Sequence, residues 1–374
     1  MPDRSLRILH LAAGSDAGGL SRYIFDLCSA MHAQGHQVAV AGERGAWHWL
    51  FENALFPWID VPLKGGPLEL MTSARKLREW VSDHPVDLLH THYRRPTLVA
   101  RRLQESPGFP PIVYTLHLSH IALNWPWSWF TDFGDRTHVA SDEAKRWVME
   151  HAQVPSDRVT LIPHGIPIER FPLADEEAKR AARHAFGFSA HDVVAAYVGR
   201  LDDPKNEGWL LDLAASSRER LPHLRLVLAG QGPHESSLRQ RIEREDLKER
   251  VFLLGHREPL PVYQAADALL LPSSREGFPY VTAEAMSVGV PVLRTRTSGT
   301  RGLIVEGVTG RSVPIEREAF IAGAVEFLSD TATLAEMGLA AAAHVREHFT
   351  FERQLEQTIA LYRRLIESRG GASS

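Results

Sequence analysis

The sequence predicts an α/β protein with two domains, each built on a parallel sheet covered by helices. Short apolar runs alternate with amphipathic stretches along the whole chain, as buried parallel strands and their helices require. The length of 374 residues exceeds one ordinary core. Pro and Gly cluster at residues 162–167, where we place a hinge. We therefore expect an N-terminal domain over 1–165, a C-terminal domain over 166–349, and a last helix with a tail over 350–374.

Five strands are predicted in each half from their apolar runs. They span residues 7–11, 37–41, 87–90, 112–116 and 138–140, then 193–198, 225–229, 251–254, 268–271 and 290–294. A helix is predicted over residues 21–34, because its apolar residues recur at helical spacing and Gly35 follows. The last helix begins at Phe351 with Thr350 as its N-cap. Its apolar face predicts that it packs back on the first domain.

Composition narrows the class of protein and the compartment. Hydrophobic residues make up 44% of the chain and charged residues 24%, and the net charge of −4 gives no case for nucleic-acid binding. The single cysteine, Cys28, rules out an intrachain disulfide and fits a reducing compartment. The sequence has no apolar stretch near the ~20 residues that span a bilayer. We predict a cytoplasmic protein, with peripheral contact at the inner face of the cell membrane left open.

Two glutamates frame the most informative motif. Glu276 and Glu284 bound the run Glu-Gly-Phe-Pro-Tyr-Val-Thr-Ala-Glu, which follows the predicted strand 268–271. Ligands of parallel sheets bind outside the carboxyl ends of the strands, where a new helix offers N–H groups to phosphate. One carboxylate can therefore bind sugar hydroxyls, while the other binds a second polyol such as a ribose.

Two cations follow the predicted strand 193–198. A diphosphate gains negative charge as its bond to a sugar breaks, and fixed cations such as Arg200 and Lys205 stabilise it. The sequence has no Asp-x-Asp pair, which is the arrangement expected when a divalent ion holds the diphosphate. The alternative is a solvated loop with ordinary surface cations.

The first loop, residues 14–20, contains Gly18 and Gly19 before the predicted helix. Adjacent glycines let a ligand approach the backbone at a helix start. The spacing is not G-x-G-x-x-G, and the predicted second strand ends at Ala41 without an acidic residue. A plain tight turn is the alternative.

Taken in chain order, these motifs resemble glycosyltransferase family 4. The resemblance is carried by Gly18-Gly19, by Gly199-Arg200 with Lys205, by the runs 228–233 and 252–255, and by the segment 276–292. It covers nearly the whole chain and is most specific in the second half. It implies GT-B architecture, with two Rossmann-like domains facing a cleft. It also implies retaining, front-face transfer from a nucleotide diphosphate sugar, most simply a UDP-sugar, in cell-surface glycan, lipopolysaccharide or glycolipid assembly, without a metal or other cofactor.

The resemblance also implies roles for particular residues. Glu276 would bind the donor sugar and Glu284 the ribose, while Arg200 and Lys205 would contact the diphosphate. Further donor contacts would come from Gly18, Gly19, Gly277, Phe278, Pro279, Tyr280, Val281 and Thr282. His117, which follows the predicted strand 112–116, would lie beside the donor sugar near the reacting carbon. A structural role for this histidine is the alternative.

Other histidines and one loop need separate interpretation. His90, His92 and His120 lack a Cys or carboxylate partner at ligand spacing, so we predict no metal site. The family pattern favours Asn where this chain has His164. Residues 298–302, Ser-Gly-Thr-Arg-Gly, replace a double-glycine stretch. Both departures bear on the identity of the donor.

Acceptor contacts are predicted in the first half. Residues 47–58 and 125–130 are rich in Trp and Phe and are interpreted as loops, and Trp stacks on sugars and favours membrane interfaces. Trp127 and Trp129 are the predicted acceptor contacts, for a lipid-linked or membrane-associated glycan, with packing on the core as the alternative. Arg94 and Arg95 are predicted to meet an acceptor phosphate, or else to form a solvated basic turn.

Two other functions remain open at this point. A nucleotide-sugar epimerase also uses GT-B architecture, but it needs its own acid and base carboxylates. A catalytically inactive sugar-nucleotide-binding subunit would not need Arg200, Lys205, Glu276 and Glu284 all to be present.

Overall fold

A computed structural model describes residues 4–16, 18–104, 109–118, 120–125, 127–297 and 302–370. The chain forms two compact units. One combines residues 1–163 with 354–374, and the other comprises residues 164–353. Each unit is built on its own parallel sheet, which confirms the predicted α/β class. Ala17, Pro126, the loop residues 298–301 and the tail after Gly370 lie outside the described residues.

The described part of the first unit has a seven-stranded sheet. Its strands are β1 (Arg7–Gly14), β2 (Gln37–Glu43), β3 (Trp58–Asp60), β4 (Leu88–Thr91), β5 (Ile112–Leu116), β6 (Arg136–Val139) and β7 (Val159–Leu161). They lie in the order β3-β2-β1-β4-β5-β6-β7. The order reverses between β1 and β4, so the loops after these two strands part and leave a crevice, which is where open α/β sheets bind ligands.

The predicted strands of the first unit are found with small shifts, and two were missed. β3 and β7 have three residues each, which is too short for a clear apolar pattern. β2 continues to Glu43, so the predicted end at Ala41 is wrong and an acidic residue does end this strand.

Five helices precede the crossover to the second unit among the described residues: α1 (Gly19–Ala33), α2 (His48–Asn53), α3 (Pro67–Asp83), α4 (Arg94–Gln104) and α5 (Asp142–Glu150). Two of them correct the sequence interpretation. α2 occupies the first aromatic segment, where Phe51 is buried, so this segment is not a loop. α4 begins at Arg94, so Arg94 and Arg95 form the first turn of a helix, in which Arg95 is exposed to solvent.

The second unit has a six-stranded sheet in its described residues. Its strands are β8 (Val193–Val198), β9 (Leu224–Ala229), β10 (Val251–Gly255), β11 (Ala268–Leu271), β12 (Val292–Thr295) and β13 (Gly310–Val313). Their order is β10-β9-β8-β11-β12-β13, which reverses between β8 and β11. β13 was missed because its sequence, Gly-Arg-Ser-Val, carries little apolar signal.

The helices of the second unit are α6 (Glu176–Ala185), α7 (Gly208–Ser216), α8 (Glu235–Arg244), α9 (Pro259–Ala265), α10 (Tyr280–Val288), α11 (Arg317–Leu328) and α12 (Thr331–His348). The loops after β8 and β9 pack closely at the edge of the sheet where these strands end. Gly230 has φ +158°, and a Cβ there would lie 1.7 Å from the carbonyl oxygen of Gly199. Only glycine fits this position.

The last helix, α13 (Phe351–Gly370), belongs to the first unit. It begins as predicted, because the Thr350 hydroxyl accepts a hydrogen bond from the Arg353 N–H at 3.3 Å. Leu355, Ile359 and Tyr362 are buried in one core with residues of α1 and β1, which confirms that this helix packs back on the first domain. No helix in the described part of the chain is long and apolar enough to cross a membrane.

Candidate functional site

Lys205 and Glu276 form an ion pair at the switch point of the second sheet. Lys205 follows β8 and Glu276 follows β11, and these strands are neighbours where the strand order reverses. The Lys205 Nζ lies 2.7 Å from Glu276 Oε1, and only 21% and 10% of the two side chains are exposed. The two residues predicted to bind the diphosphate and the sugar therefore meet at the expected edge of the sheet.

Two further hydrogen bonds hold these two loops together. The Asn206 side-chain amide donates to the carbonyl oxygen of Pro272 at 2.9 Å. The Ser274 N–H donates to the carbonyl oxygen of Pro204 at 2.8 Å. Because these bonds flank Lys205 on one loop and precede Glu276 on the other, the two loops are joined independently of the ion pair.

Glu284 lies in the second turn of α10 and accepts a hydrogen bond from a buried phenol. The Tyr263 hydroxyl on α9 donates to Glu284 Oε2 at 2.8 Å. Burial, together with the Glu284 charge, raises the pKa of Tyr263 well above its ordinary value, so the phenol stays a donor. Tyr263 thus orients the carboxylate predicted to hold the ribose. Nothing in the sequence around Tyr263 marks it as a polar contact, so its role was not predicted.

Arg200 is the most exposed of the four predicted charges. Its guanidinium pairs with Asp202, and 69% of its side chain is accessible to solvent. The loop around it is ordered by the buried Tyr197, whose hydroxyl donates to the Arg200 carbonyl oxygen at 2.6 Å. The backbone of Arg200 is therefore fixed, while the guanidinium can exchange its carboxylate partner for a ligand.

The predicted backbone stretch, residues 277–282, leads into α10. Pro279 precedes the first helical residue, Tyr280, and the Thr282 N–H donates back to the Pro279 carbonyl oxygen at 2.9 Å. The buried ring of His164 lies edge-on to Phe278 with centroids 5.5 Å apart and stacks on Tyr280 at 5.9 Å. The unusual His164 therefore supports the aromatic residues of the predicted donor stretch.

The first unit carries a cavity of about 590 Å³ at its own switch point. The loop after β1 contributes Gly18 and Gly19, and the start of α4 contributes Arg94 and Arg95. Gly18, with φ +155°, precedes the first residue of α1. This positive φ explains why a glycine stands there.

Three cations line this cavity: Lys64, Arg94 and Arg95. Lys64 Nζ lies 2.5 Å from Asp16 Oδ2, and this hydrogen bond raises the pKa of the lysine. The Arg94 guanidinium lies 5.0 Å from the ring centroid of Trp127, and Arg95 donates to the Lys64 carbonyl oxygen. With one aspartate among three cations, the cavity favours an anionic ligand. Lys64 was missed because it follows the three-residue strand β3.

The second aromatic segment is a set of exposed turns. Trp125 is 80% exposed and Trp129 is 83% exposed, whereas Trp127, at 40%, also lines the cavity. The packing alternative is therefore wrong for Trp125 and Trp129. Their neighbour Pro126 lies outside the described residues.

His117 follows β5 and is held by other histidines. Its Nε2 lies 3.1 Å from Nδ1 of His92, and Nε2 of His92 lies 3.0 Å from Nδ1 of His10. Burial lowers the pKa of His117 to about 3, helped by repulsion from His138, and burial lowers the pKa of His10 to about 3. His117 is therefore a neutral imidazole at pH 7.

A second polar chain crosses the same sheet. The Tyr362 hydroxyl lies 2.5 Å from Nδ1 of His90, and the Thr115 hydroxyl lies 2.6 Å from Nε2 of His90 and 2.9 Å from Nδ1 of His138. Nε2 of His138 donates to the carbonyl oxygen of Ile162 at 2.8 Å. Since a carbonyl only accepts, the direction of the whole chain is fixed: Tyr362 donates to His90, His90 to Thr115, and Thr115 to His138.

Three of these rings, His10, His90 and His92, lie close enough together to suggest a metal site. Both ring nitrogens of His90 are already engaged, with Thr115 and Tyr362, and both ring nitrogens of His92 are engaged with other imidazoles. Ligation would break these hydrogen bonds inside the core. The geometry therefore fits hydrogen bonding by these histidines better than it fits metal binding.

Two family models match the chain over adjacent segments. "Glycosyltransferase Family 4" matches residues 17–170, and "Glycosyl transferases group 1" matches residues 178–344. Together they cover most of both units.

Relatives of known name match over most of the chain. D-inositol 3-phosphate glycosyltransferase of Corynebacterium glutamicum is 26% identical, with 93% of this chain and 92% of that protein covered. The UDP-Gal:alpha-D-GlcNAc-diphosphoundecaprenol alpha-1,3-galactosyltransferase of Escherichia coli is 25% identical, with 70% and 71% covered. The solved structure of HepE from Anabaena in complex with UDP has a TM-score of 0.83 at 21% identity, with 95% of this chain and 99% of that chain covered. Another structure of HepE holds UDP-glucose.

Proposed function

Since this chain belongs to glycosyltransferase family 4 and has the GT-B fold, we propose that it transfers a sugar from a nucleotide diphosphate sugar to a hydroxyl group of an acceptor. One observation carries the proposal. Lys205 and Glu276 stand side by side at the switch point of the second sheet, so a cation for the diphosphate adjoins a carboxylate for sugar hydroxyls. The proposed donor is a UDP-sugar, because HepE binds UDP and UDP-glucose.

Donor binding would exchange the partners of these charges. The diphosphate would take Lys205 from Glu276 and Arg200 from Asp202, since phosphate oxygens accept strong charge-assisted hydrogen bonds. The released Glu276 carboxylate would accept hydrogen bonds from hydroxyls of the sugar. Glu284, oriented by Tyr263, would hold the ribose. The N–H groups at the start of α10 would complete the phosphate site.

The transfer step would retain the configuration of the anomeric carbon. The bond between this carbon and the diphosphate oxygen breaks, the acceptor oxygen bonds to the same face, and the departing diphosphate takes the acceptor proton. Lys205 and Arg200 would neutralise the charge that develops on the diphosphate, so this step needs no metal ion. His117, Gly18 and Gly19 keep the donor-side roles that the resemblance implies.

The acceptor would bind in the cationic cavity of the first unit. The proposed acceptor is a phosphorylated polyol or a lipid-linked diphosphate sugar, held by Arg94, Arg95 and Lys64. The names of two relatives support an acceptor of this class, because one acts on an inositol phosphate and the other is named for a diphosphoundecaprenol-linked sugar. The exposed Trp125 and Trp129 would face a lipid surface at the cytoplasmic side of the membrane. The proposed role is assembly of cell-surface glycan, lipopolysaccharide or glycolipid.

A panel of UDP-, GDP- and ADP-sugars tests the donor assignment, with thermal shift and slow donor hydrolysis as readouts. A shift and hydrolysis with a UDP-sugar are expected, and no response to any nucleotide sugar would contradict the proposal. The acceptor is tested with the preferred donor and three acceptors: inositol phosphate, a polyprenyl-diphosphate-linked sugar and a neutral sugar. Arg95→Ala should raise KM for the phosphorylated acceptor, whereas Arg75→Ala, an exposed arginine on α3, should not.

A further inference from the structure

Hydrogen bonds between ring nitrogens join His10, His92 and His117 into a row that links three strands of the first sheet. His10 lies in β1, His92 follows β4 and His117 follows β5, and the two ring-to-ring distances are 3.0 and 3.1 Å. Each contact holds one proton between two nitrogens. A neutral His92 must therefore donate through one nitrogen and accept through the other, which leaves two possible directions for the chain.

The environment of His10 decides in which direction these hydrogen bonds are donated. Nε2 of His10 is buried and has no hydrogen-bond partner among the described residues. If the chain pointed toward His10, a proton would sit on this nitrogen as a buried N–H without an acceptor, which is rare in native proteins. In the opposite direction His10 carries its proton on Nδ1 and donates it to His92.

We propose that His92 is a positioning residue that donates from Nδ1 to Nε2 of His117 and so keeps the His117 proton on Nδ1. Through this tautomer, Nδ1 of His117 is a hydrogen-bond donor and not a lone pair, which in the proposed function suits oxygen atoms of the transferred sugar or its phosphate. The part that concerns the sugar rests on the proposed function. The tautomer itself follows from the hydrogen bonds of the first unit alone.

Packing keeps the His117 ring in this orientation. Tyr23 on α1 lies edge-on to the His117 ring, with centroids 5.0 Å apart, and edge-on to the His92 ring at 5.8 Å. The His10 and His92 rings are nearly parallel, with an interplanar angle of 7°. A ring flip at His92 would place ring carbons where its two nitrogens stand and break both hydrogen bonds, so the fold specifies a single arrangement.

Ring-nitrogen NMR tests the tautomer without any need for turnover. In protein labelled with ¹⁵N-histidine, long-range ¹H–¹⁵N correlations distinguish protonated from unprotonated ring nitrogens, and His117→Asn identifies the His117 signals by their loss. At pH 7.5 the His117 proton is expected on Nδ1. A proton on Nε2 of His117 would overturn the proposal, whether or not the protein proves to be a transferase.

Kinetics test the positioning role. His92→Leu removes the donor and should lower kcat by roughly tenfold to a hundredfold, with the donor KM changed less than threefold. His92→Asn places an amide N–H near the Nδ1 position and should recover most of the rate. In a His117→Ala background His92→Leu should have no further effect, because it acts through the ring already removed. The exposed His191→Leu is the control. Full additivity of the two changes would show a merely structural role and reject the proposal.

Discussion

Lys205 and Glu276 are 71 residues apart in the sequence, yet the ammonium of one lies 2.7 Å from the carboxylate of the other at the ends of two adjacent strands. Each charge holds the other in place. Removing Lys205 takes away the cation proposed for the diphosphate, whereas removing Glu276 takes away the carboxylate proposed for the sugar.

Lys205→Ala is expected to lower kcat by roughly a hundredfold to a thousandfold, which corresponds to about 2.7–4 kcal/mol of transition-state stabilisation. The physical reason is the loss of a fixed cation where the diphosphate gains charge. Steady-state transfer with the preferred nucleotide sugar measures the effect. Lys248→Ala, which removes an exposed lysine paired with Glu243, is the control. A rate within threefold of the parent would contradict the role of Lys205.

Glu276→Gln and Glu284→Ala should separate the sugar from the ribose. Glu276→Gln should abolish most transfer, while UDP binds as tightly as before or more tightly, since Lys205 no longer has to leave a carboxylate. Glu284→Ala should weaken UDP and the UDP-sugar together, by roughly tenfold for one lost charged hydrogen bond. Isothermal titration calorimetry measures the affinity of each variant for UDP and for the UDP-sugar. The reverse pattern would exchange the two assignments.

Tyr362→Phe is expected to destabilise the protein by about 1–3 kcal/mol, because Nδ1 of the buried His90 loses its hydrogen-bond donor. Thermal unfolding measures the effect. Tyr93→Phe, at a tyrosine that is 43% exposed, provides the matched control and should shift stability by less than about 0.5 kcal/mol. Equal melting temperatures for the parent and Tyr362→Phe would mean that the second polar chain contributes nothing to the fold.

Acid should unfold the first unit through its buried histidines. Burial lowers the pKa of His10 and His117 to about 3 and that of His138 to about 4, whereas the unfolded chain titrates near 6.5. The unfolded state therefore binds more protons below pH 6.5, so stability is complete above that pH and falls as pH drops toward 3 to 4. Each group contributes a slope of about 1.4 kcal/mol per pH unit.

Near-UV circular dichroism during thermal melts from pH 7.5 to pH 4.5 follows this loss. Burial also lowers the pKa values of His90 and His92 well below the ordinary value, so several protons should be taken up on unfolding near pH 5.5. A melting temperature that stays constant between pH 7 and pH 5 would refute the prediction.

Trp125 and Trp129 should govern binding to lipid vesicles. In a flotation assay with anionic liposomes, the parent is expected to float with the lipid, and the double variant Trp125→Ala, Trp129→Ala is expected to remain largely in the soluble fraction. Trp49→Ala, which removes an exposed tryptophan of α2, is the control. The membrane assignment fails if the parent does not bind, or if the double variant binds equally well.

Most of the candidate site in the second unit could be predicted from the sequence, because strongly apolar strands such as β11 mark where the motif Glu276–Glu284 must lie. Less of the candidate site in the first unit could be predicted. Lys64 follows a strand of three residues, and the helix that begins at Arg94 was not predicted, because no apolar residue precedes Pro96 in it. The histidine chains were not predictable, since they depend on which strands are neighbours and on the arrival of Tyr362 from the far end of the chain.

Tyr362 and the rest of α13 are synthesised last, although they belong to the core of the first unit. Residues 354–374 complete a unit whose other part is residues 1–163, and the whole second unit lies between them in the sequence. On the ribosome, the first 163 residues must wait for 190 further residues to be translated before Leu355, Ile359 and Tyr362 can fill their core. During this interval the apolar surface of that core stays uncovered, and Nδ1 of His90 lacks the Tyr362 hydroxyl. Premature termination within α13 would therefore leave the earliest part of the polypeptide, and not the latest, as the client of chaperones and proteases.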